Sequence, residues 1–96
     1  MQTKFSQAKA QAVEAMRERR IEYEARELQS QKNLLSTGAL DVDKAIALIQ
    51  STRGDQANSS PHHANRSIQV WVFEPKGWYI KFYLVESVCF ISFHPS

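Results

Sequence analysis

The stretch from Lys76 to His94, KGWYIKFYLVESVCFISFH, is almost wholly apolar and aromatic, yet it holds one lysine in its interior and closes on an imidazole. The other two histidines, His62 and His63, stand together in PHHANR, three residues before Arg66 at the nearest. Histidine moves protons near neutral pH because its unperturbed pKa is ~6.5. Lysine and arginine hold anions, arginine through a planar fork suited to phosphate. These residue types together can carry acid–base chemistry on an anionic substrate, provided the fold brings them to one place.

Two strands joined at Glu86-Ser87 would do so. With a two-residue turn there, Val85 pairs with Val88, Tyr83 with Phe90, Lys81 with Ser92 and Tyr79 with His94. Cross-strand partners share a face, so Tyr79, Lys81, Tyr83, Ser92 and His94 are expected on one side. Trp78, Ile80, Phe82, Leu84, Cys89, Ile91 and Phe93 fall on the other, the core side. The polar side is either a plain solvated sheet surface or a binding site built on a scaffold. His62, His63 and Arg66 precede the first strand and can reach its rim. No third ligand from Cys or Asp is placed beside the histidine pair, Asp55 being the nearby carboxylate, so neither a metal site nor another cofactor is expected.

The elements that position this face read as follows. From about residue 3 to 35 there is no Pro or Gly, and the composition favours helix. Phe5, Ala8, Ala12 and Met16 form one apolar stripe. The run RERRIEYEARE offers opposite-charge pairs at i,i+4, Arg20 with Glu24 and Glu22 with Arg26. It is either a solvated face or a place where Arg17, Arg19 and Arg20 meet a phosphate backbone or an acidic partner, and a break near Arg20 is left open. Gly38 is a helix stop, and Asp41 caps a second helix over 42–51 whose Ile46, Leu48 and Ile49 point inward. Residues 52–66, TRGDQANSSPHHANR, read as a long loop. From Ser67 the period becomes two: SIQVWVF, a turn at EPKG, then the hairpin. The expectation is one α+β domain over 1–96, helical in 1–51, with a three-stranded antiparallel meander over 67–94 and the helices on one of its faces.

Composition sets further bounds. Ninety-six residues make one small domain, and 43% hydrophobic content argues against overall disorder. A formal charge of +2 does not by itself announce a nucleic-acid binder. No apolar run is long enough to span a bilayer and no signal segment opens the chain, so a cytoplasmic place of action without membrane contact is expected. The single Cys89 excludes an intrachain disulfide and reads as a buried thiol.

The order of helices then meander, with the ending YIKFYLVESVCFISFH, resembles the RelE-like ribonuclease toxins and most closely the MqsR family, which has a Tyr-Leu/Ile-Lys strand, a short acidic turn and a last strand closing on Ser-Phe and a basic residue. The start FSQAK and the segment LDVDKAIALI are also similar to that family, so the resemblance touches most of the chain. It implies an endoribonuclease that cleaves RNA and is held inactive by a cognate antitoxin. Tyr79 matches the family's strand tyrosine, and His94 stands where the family has a catalytic lysine. The family's loop lysine falls near Asn58 and its strand glutamine at Val70, beside Gln69, so this chain departs from the pattern at two other positions.

Metal-free RNA cleavage uses the substrate's own 2′-hydroxyl, a group that only RNA has. It needs a base, a cation for the phosphorane and an acid for the leaving oxygen. Under the resemblance, His94 is one acid–base group, with His62 or His63 as the other. Lys81 and Arg66 hold phosphate, Tyr79 donates a hydrogen bond or orients the base, Trp71 or Tyr83 stacks on a nucleobase, and Gln69 is a further substrate-binding candidate. Two other readings stay open: a delivered toxin domain of the same broad class that meets an immunity protein, and a non-enzymatic module that holds a partner on the aromatic face. Toxicity on expression without a partner separates the nucleases from the module.

Overall fold

The first helix ends well before its composition predicts, and that early end is what allows an extra strand. In the computed structural model, which describes residues 4–23 and 40–95 together with Leu35 and Gly38, helix α1 covers Phe5–Arg17. It stops in a Schellman motif: the Arg20 amide donates to Ala15 O at 2.8 Å and the Arg19 amide to Met16 O at 3.1 Å. The residue at the left-handed position is Arg19, with φ +62°. That turn sends Ile21–Tyr23 out as strand β1. The break left open near Arg20 is thus present, and the helical expectation for this segment is corrected over Ile21–Tyr23. The pairings of Arg20 with Glu24 and of Glu22 with Arg26 fall partly outside the described residues. Arg20 turns to Glu18, 2.7 Å away, and to the carbonyl of Glu86.

The predicted apolar stripe holds: Ala8, Ala12 and Met16 are fully buried, and Phe5 packs at the edge of the core. Helix α2 spans Val42–Ser51, capped by Asp41, whose carboxylate accepts from the Lys44 amide at 2.8 Å. Ile46, Leu48 and Ile49 are buried as expected. The ammonium of Lys9 on α1 donates to the carbonyls of Gln50 and Thr52 at 2.9 and 3.0 Å. It thereby satisfies carbonyls that the end of α2 leaves open and ties the two helices together. Gly38 has φ +82°, and the helix expected to stop there lies outside the described residues.

Residues 52–66 are more ordered than a loop. A 3-10 turn, Gly54–Gln56, leads into strand β2, Ala57–Pro61, which pairs antiparallel with β3, Gln69–Phe73. Strand β4 is Trp78–Leu84 and β5 is Val88–Pro95. The sheet has five strands in the order β1-β5-β4-β3-β2, with β1 parallel to β5 and every other pair antiparallel. The three-stranded meander is thus correct for β3 to β5 but is extended by one strand at each edge. Its EPKG turn is type I′: Lys76 and Gly77 have φ +50° and +80°, and the Trp78 amide donates to Pro75 O at 2.9 Å.

Both helices cover one face of this sheet. Phe5, Trp71, Phe73, Phe82, Phe90, Phe93 and Trp78 form a continuous ladder of ring contacts, with neighbouring centroids 4.9–6.3 Å apart. The α+β class, with helices on one face, is as expected. Among the described residues no helix is long and apolar enough to cross a membrane.

Candidate functional site

The β4–β5 hairpin decides which side chains reach the open face. Its turn takes three residues, 85–87, so Leu84 pairs with Val88, Tyr83 with Cys89 and Phe82 with Phe90. A bulge opposite the Lys81/Phe82 step then leaves Ile91 without an opposite number. Beyond it Lys81 pairs with Ser92, Ile80 with Phe93 and Tyr79 with His94. The two-residue turn of the sequence reading is corrected here. Near the turn Phe90 enters the core, fully buried, whereas Cys89 lies on the opposite side, buried but outside the helix-side cluster. Farther along, the expected pairs of Lys81 with Ser92 and Tyr79 with His94 stand as read.

The face away from the helices is therefore built in rows. The row of Tyr79 and His94 lies at one end. Next comes Asn58–Val72–Lys81–Ser92, and then Ser60–Val70–Tyr83–Cys89–Glu22. The His94 ring stacks on Tyr79, with centroids 5.4 Å apart and planes 24° from parallel. Its Nδ1 sits 2.8 Å from the Pro95 carbonyl, an acceptor only, so Nδ1 carries the hydrogen and, in the neutral ring, Nε2 presents a lone pair. Lys81 is half-buried and makes no ion pair among the described residues. Ser92 beside it is buried.

His62 and His63 do come to this face, at its far end. Their rings are stacked at 4.6 Å and 20°, and His62 meets Tyr83 edge-on at 5.2 Å and 81°. His62 is fixed: its backbone N–H donates to Ile68 O at 2.8 Å, and its Nδ1 accepts from the amides of Ala64 and Asn65 at 3.0 and 3.3 Å. With Nδ1 committed as an acceptor, the neutral ring carries its hydrogen on Nε2 and acts as a donor there. His63 is exposed, as is Arg66 in the same loop. From Tyr79 to Tyr83 along β4 is ~13 Å at ~3.3 Å per residue. His94 and the loop pair accordingly serve two separate ends of the face.

Trp71 and Gln69 are not on it. Trp71 pairs with Phe82, is 7% exposed and packs in the helix-side core. Gln69 shares that side and donates from its amide to Ser59 Oγ at 2.9 Å. Asn58 and Ser60 were missed as members of the face, because ANSSP has no apolar alternation. Only a strand assignment for β2 would have found them. Two concavities among the described residues lie away from the histidine face. One, of about 490 Å³, lies over α1 and Gln50. The other, of about 580 Å³, lies at Arg19 and the start of α2. No group of three His, Cys, Asp or Glu side chains converges as a metal site among the described residues. Compared with known proteins, the chain matches no family description, no curated protein and no solved structure.

Proposed function

We propose that the chain is a RelE-like endoribonuclease toxin, most similar to the MqsR family, that cleaves RNA through attack by the 2′-hydroxyl and is neutralised by a cognate antitoxin or immunity protein. One observation carries the reading: His94 stacks on Tyr79 on the open face, with Lys81 in the adjacent row. A proton acceptor, a phenol and a cation are thus gathered on one patch. The lone pair on His94 Nε2 takes the proton of the 2′-hydroxyl as its oxygen attacks the neighbouring phosphorus. The Lys81 ammonium balances the charge that grows on the non-bridging oxygens. The 5′-oxygen leaves with a proton, and since His62 and His63 lie at the far end, that proton comes from the Tyr79 phenol. The products are a 2′,3′-cyclic phosphate and a 5′-hydroxyl end. A metal has no assigned task in this scheme.

The test is cleavage of defined single-stranded RNA by the purified chain, with and without chelator, with product ends identified. His94→Ala should lower the rate by roughly 10²–10⁴-fold, the ordinary worth of a positioned acid–base group, while circular dichroism stays unchanged. Undiminished cleavage by that variant removes His94 from the chemistry. RNA left intact by the unmodified chain removes the reading altogether.

A further inference from the structure

The geometry points to His63 as the stacking platform for a nucleobase that neighbours, and is not part of, the scissile step, an inference that rests on the ribonuclease reading above. The His62 ring beneath it is 9% exposed and is held by two backbone N–H donors at 3.0 and 3.3 Å. The loop carrying both is closed by the His62 amide on Ile68 O at 2.8 Å and by the Ile68 amide on Asn65 O at 3.0 Å. Ser67 adds its hydroxyl to Asn65 Oδ1 at 2.6 Å. One face of the His63 ring lies on His62, 4.6 Å away and 20° from parallel. Tyr83 braces His62 edge-on at 5.2 Å. His63 is itself exposed, and among the described residues no ring other than His62 packs against it.

A flat, prepositioned aromatic surface with one face free is what a splayed nucleobase stacks on, and stacking tolerates any base because every base has a π-face. Arg66, exposed in the same loop, supplies a cation for the backbone phosphate beside that base. The platform is braced by Tyr83, which stands ~13 Å along β4 from Tyr79, too far to share one phosphate and suited to the next stretch of an extended single strand. Lys81 lies between the two ends. His63 thus acts by holding substrate through its ring plane and not by passing a proton.

That distinction makes the assignment testable. In the full chain carrying His94→Ala, which slows cleavage enough for binding to be read, binding of a short fluorescent single-stranded oligoribonucleotide is followed by anisotropy. Adding His63→Ala should weaken binding roughly 5- to 150-fold, the loss of one base stack. His63→Phe should restore it, since phenylalanine keeps the plane and has no titratable atom. Replacing one nucleotide of the probe by an abasic residue, position by position, should find a site where His63→Ala no longer weakens binding further. If His63→Ala binds as tightly as its parent, or His63→Phe is as weak as His63→Ala, the stacking assignment is overturned and the ribonuclease reading stands. If the parent binds no RNA and the unmodified chain cleaves none, both fall together.

Discussion

Replacing Arg19 by glycine should make the protein more stable, although it deletes a charged side chain and shortens a residue beside a helix. Arg19 occupies the left-handed position of the motif that ends α1, at φ +62°. A residue with a Cβ in that conformation is strained by ~1–2 kcal/mol relative to glycine. Glycine gives some of this back by widening the unfolded ensemble, about 0.5–1 kcal/mol. The net gain is then about 0.5–1 kcal/mol. The side chain itself offers little to lose: Arg19 is exposed and makes no ion pair or side-chain hydrogen bond among the described residues.

Arg19→Ala is the control, because it deletes the same side chain but keeps the Cβ, and it should fall within ~0.5 kcal/mol of the parent. Arg19→Val should be worse than both, a β-branched residue being the least tolerated at positive φ. Chemical denaturation of the set reads these differences directly. In thermal melts, 1 kcal/mol corresponds to roughly 4–8 °C for a domain of this size. If glycine proves no more stable than alanine here, Arg19 is not in the left-handed conformation. The turn that releases β1 beside β5 would then be wrong as described.

Two further outcomes follow from the loop and the sheet edge. His62→Ala leaves the Ala64 and Asn65 amides without their acceptor and should cost about 1–3 kcal/mol, whereas His62→Asn, whose side-chain oxygen can accept from the same amides, should cost less; amide exchange at those two positions and chemical denaturation check the order. Burial pushes the Tyr23 phenol above its ordinary value, so the unfolded chain releases that proton first as pH rises. Stability from this group is whole below about pH 10 and is lost above it. Tyr23→Phe should therefore flatten the alkaline limb of stability against pH, and an unchanged limb would refute the assignment.

The helix end shows why one feature of the fold was hidden in the sequence. Left-handed helix stops are read from glycine, and Gly38 was read in that way. At Arg19 the stop is made by hydrogen bonds from Arg19 and Arg20 back into α1, with no residue type to betray it. Local composition continued to favour helix, and tertiary pairing of Ile21–Tyr23 with β5 outweighed it. Strand β2 was hidden for a different reason. It is an edge strand whose residues 58–61 are all exposed. With little buried on either side, it had no hydrophobic alternation to show, and its polar residues and Pro61 suit an edge. What revealed neither strand is the same shortage: both are edges, held by backbone bonds that a one-dimensional pattern does not record.

The hairpin is legible in the half that carries Lys81, Ser92 and His94, and the reason is structural. Two departures from an ideal hairpin act in opposite directions. A turn of three residues shifts the register by one between Leu84 and Phe82, and the bulge at Ile91 shifts it back before Lys81. The reading that ignored both was wrong for Phe90 and Cys89 and right for Ser92 and His94. Each shift serves the fold: the first puts Val88 and Phe90 into the helix-side core, and the second lets Phe93 join them without carrying His94 in after it. Without the bulge, a strand with Phe90 in the core would point Ser92 and His94 there as well, where an imidazole and a hydroxyl would have to find buried partners. The bulge is thus the device that allows one strand to bury three core residues and still present His94 beside Tyr79. Bulges are common next to functional sites because they re-aim side chains in this way.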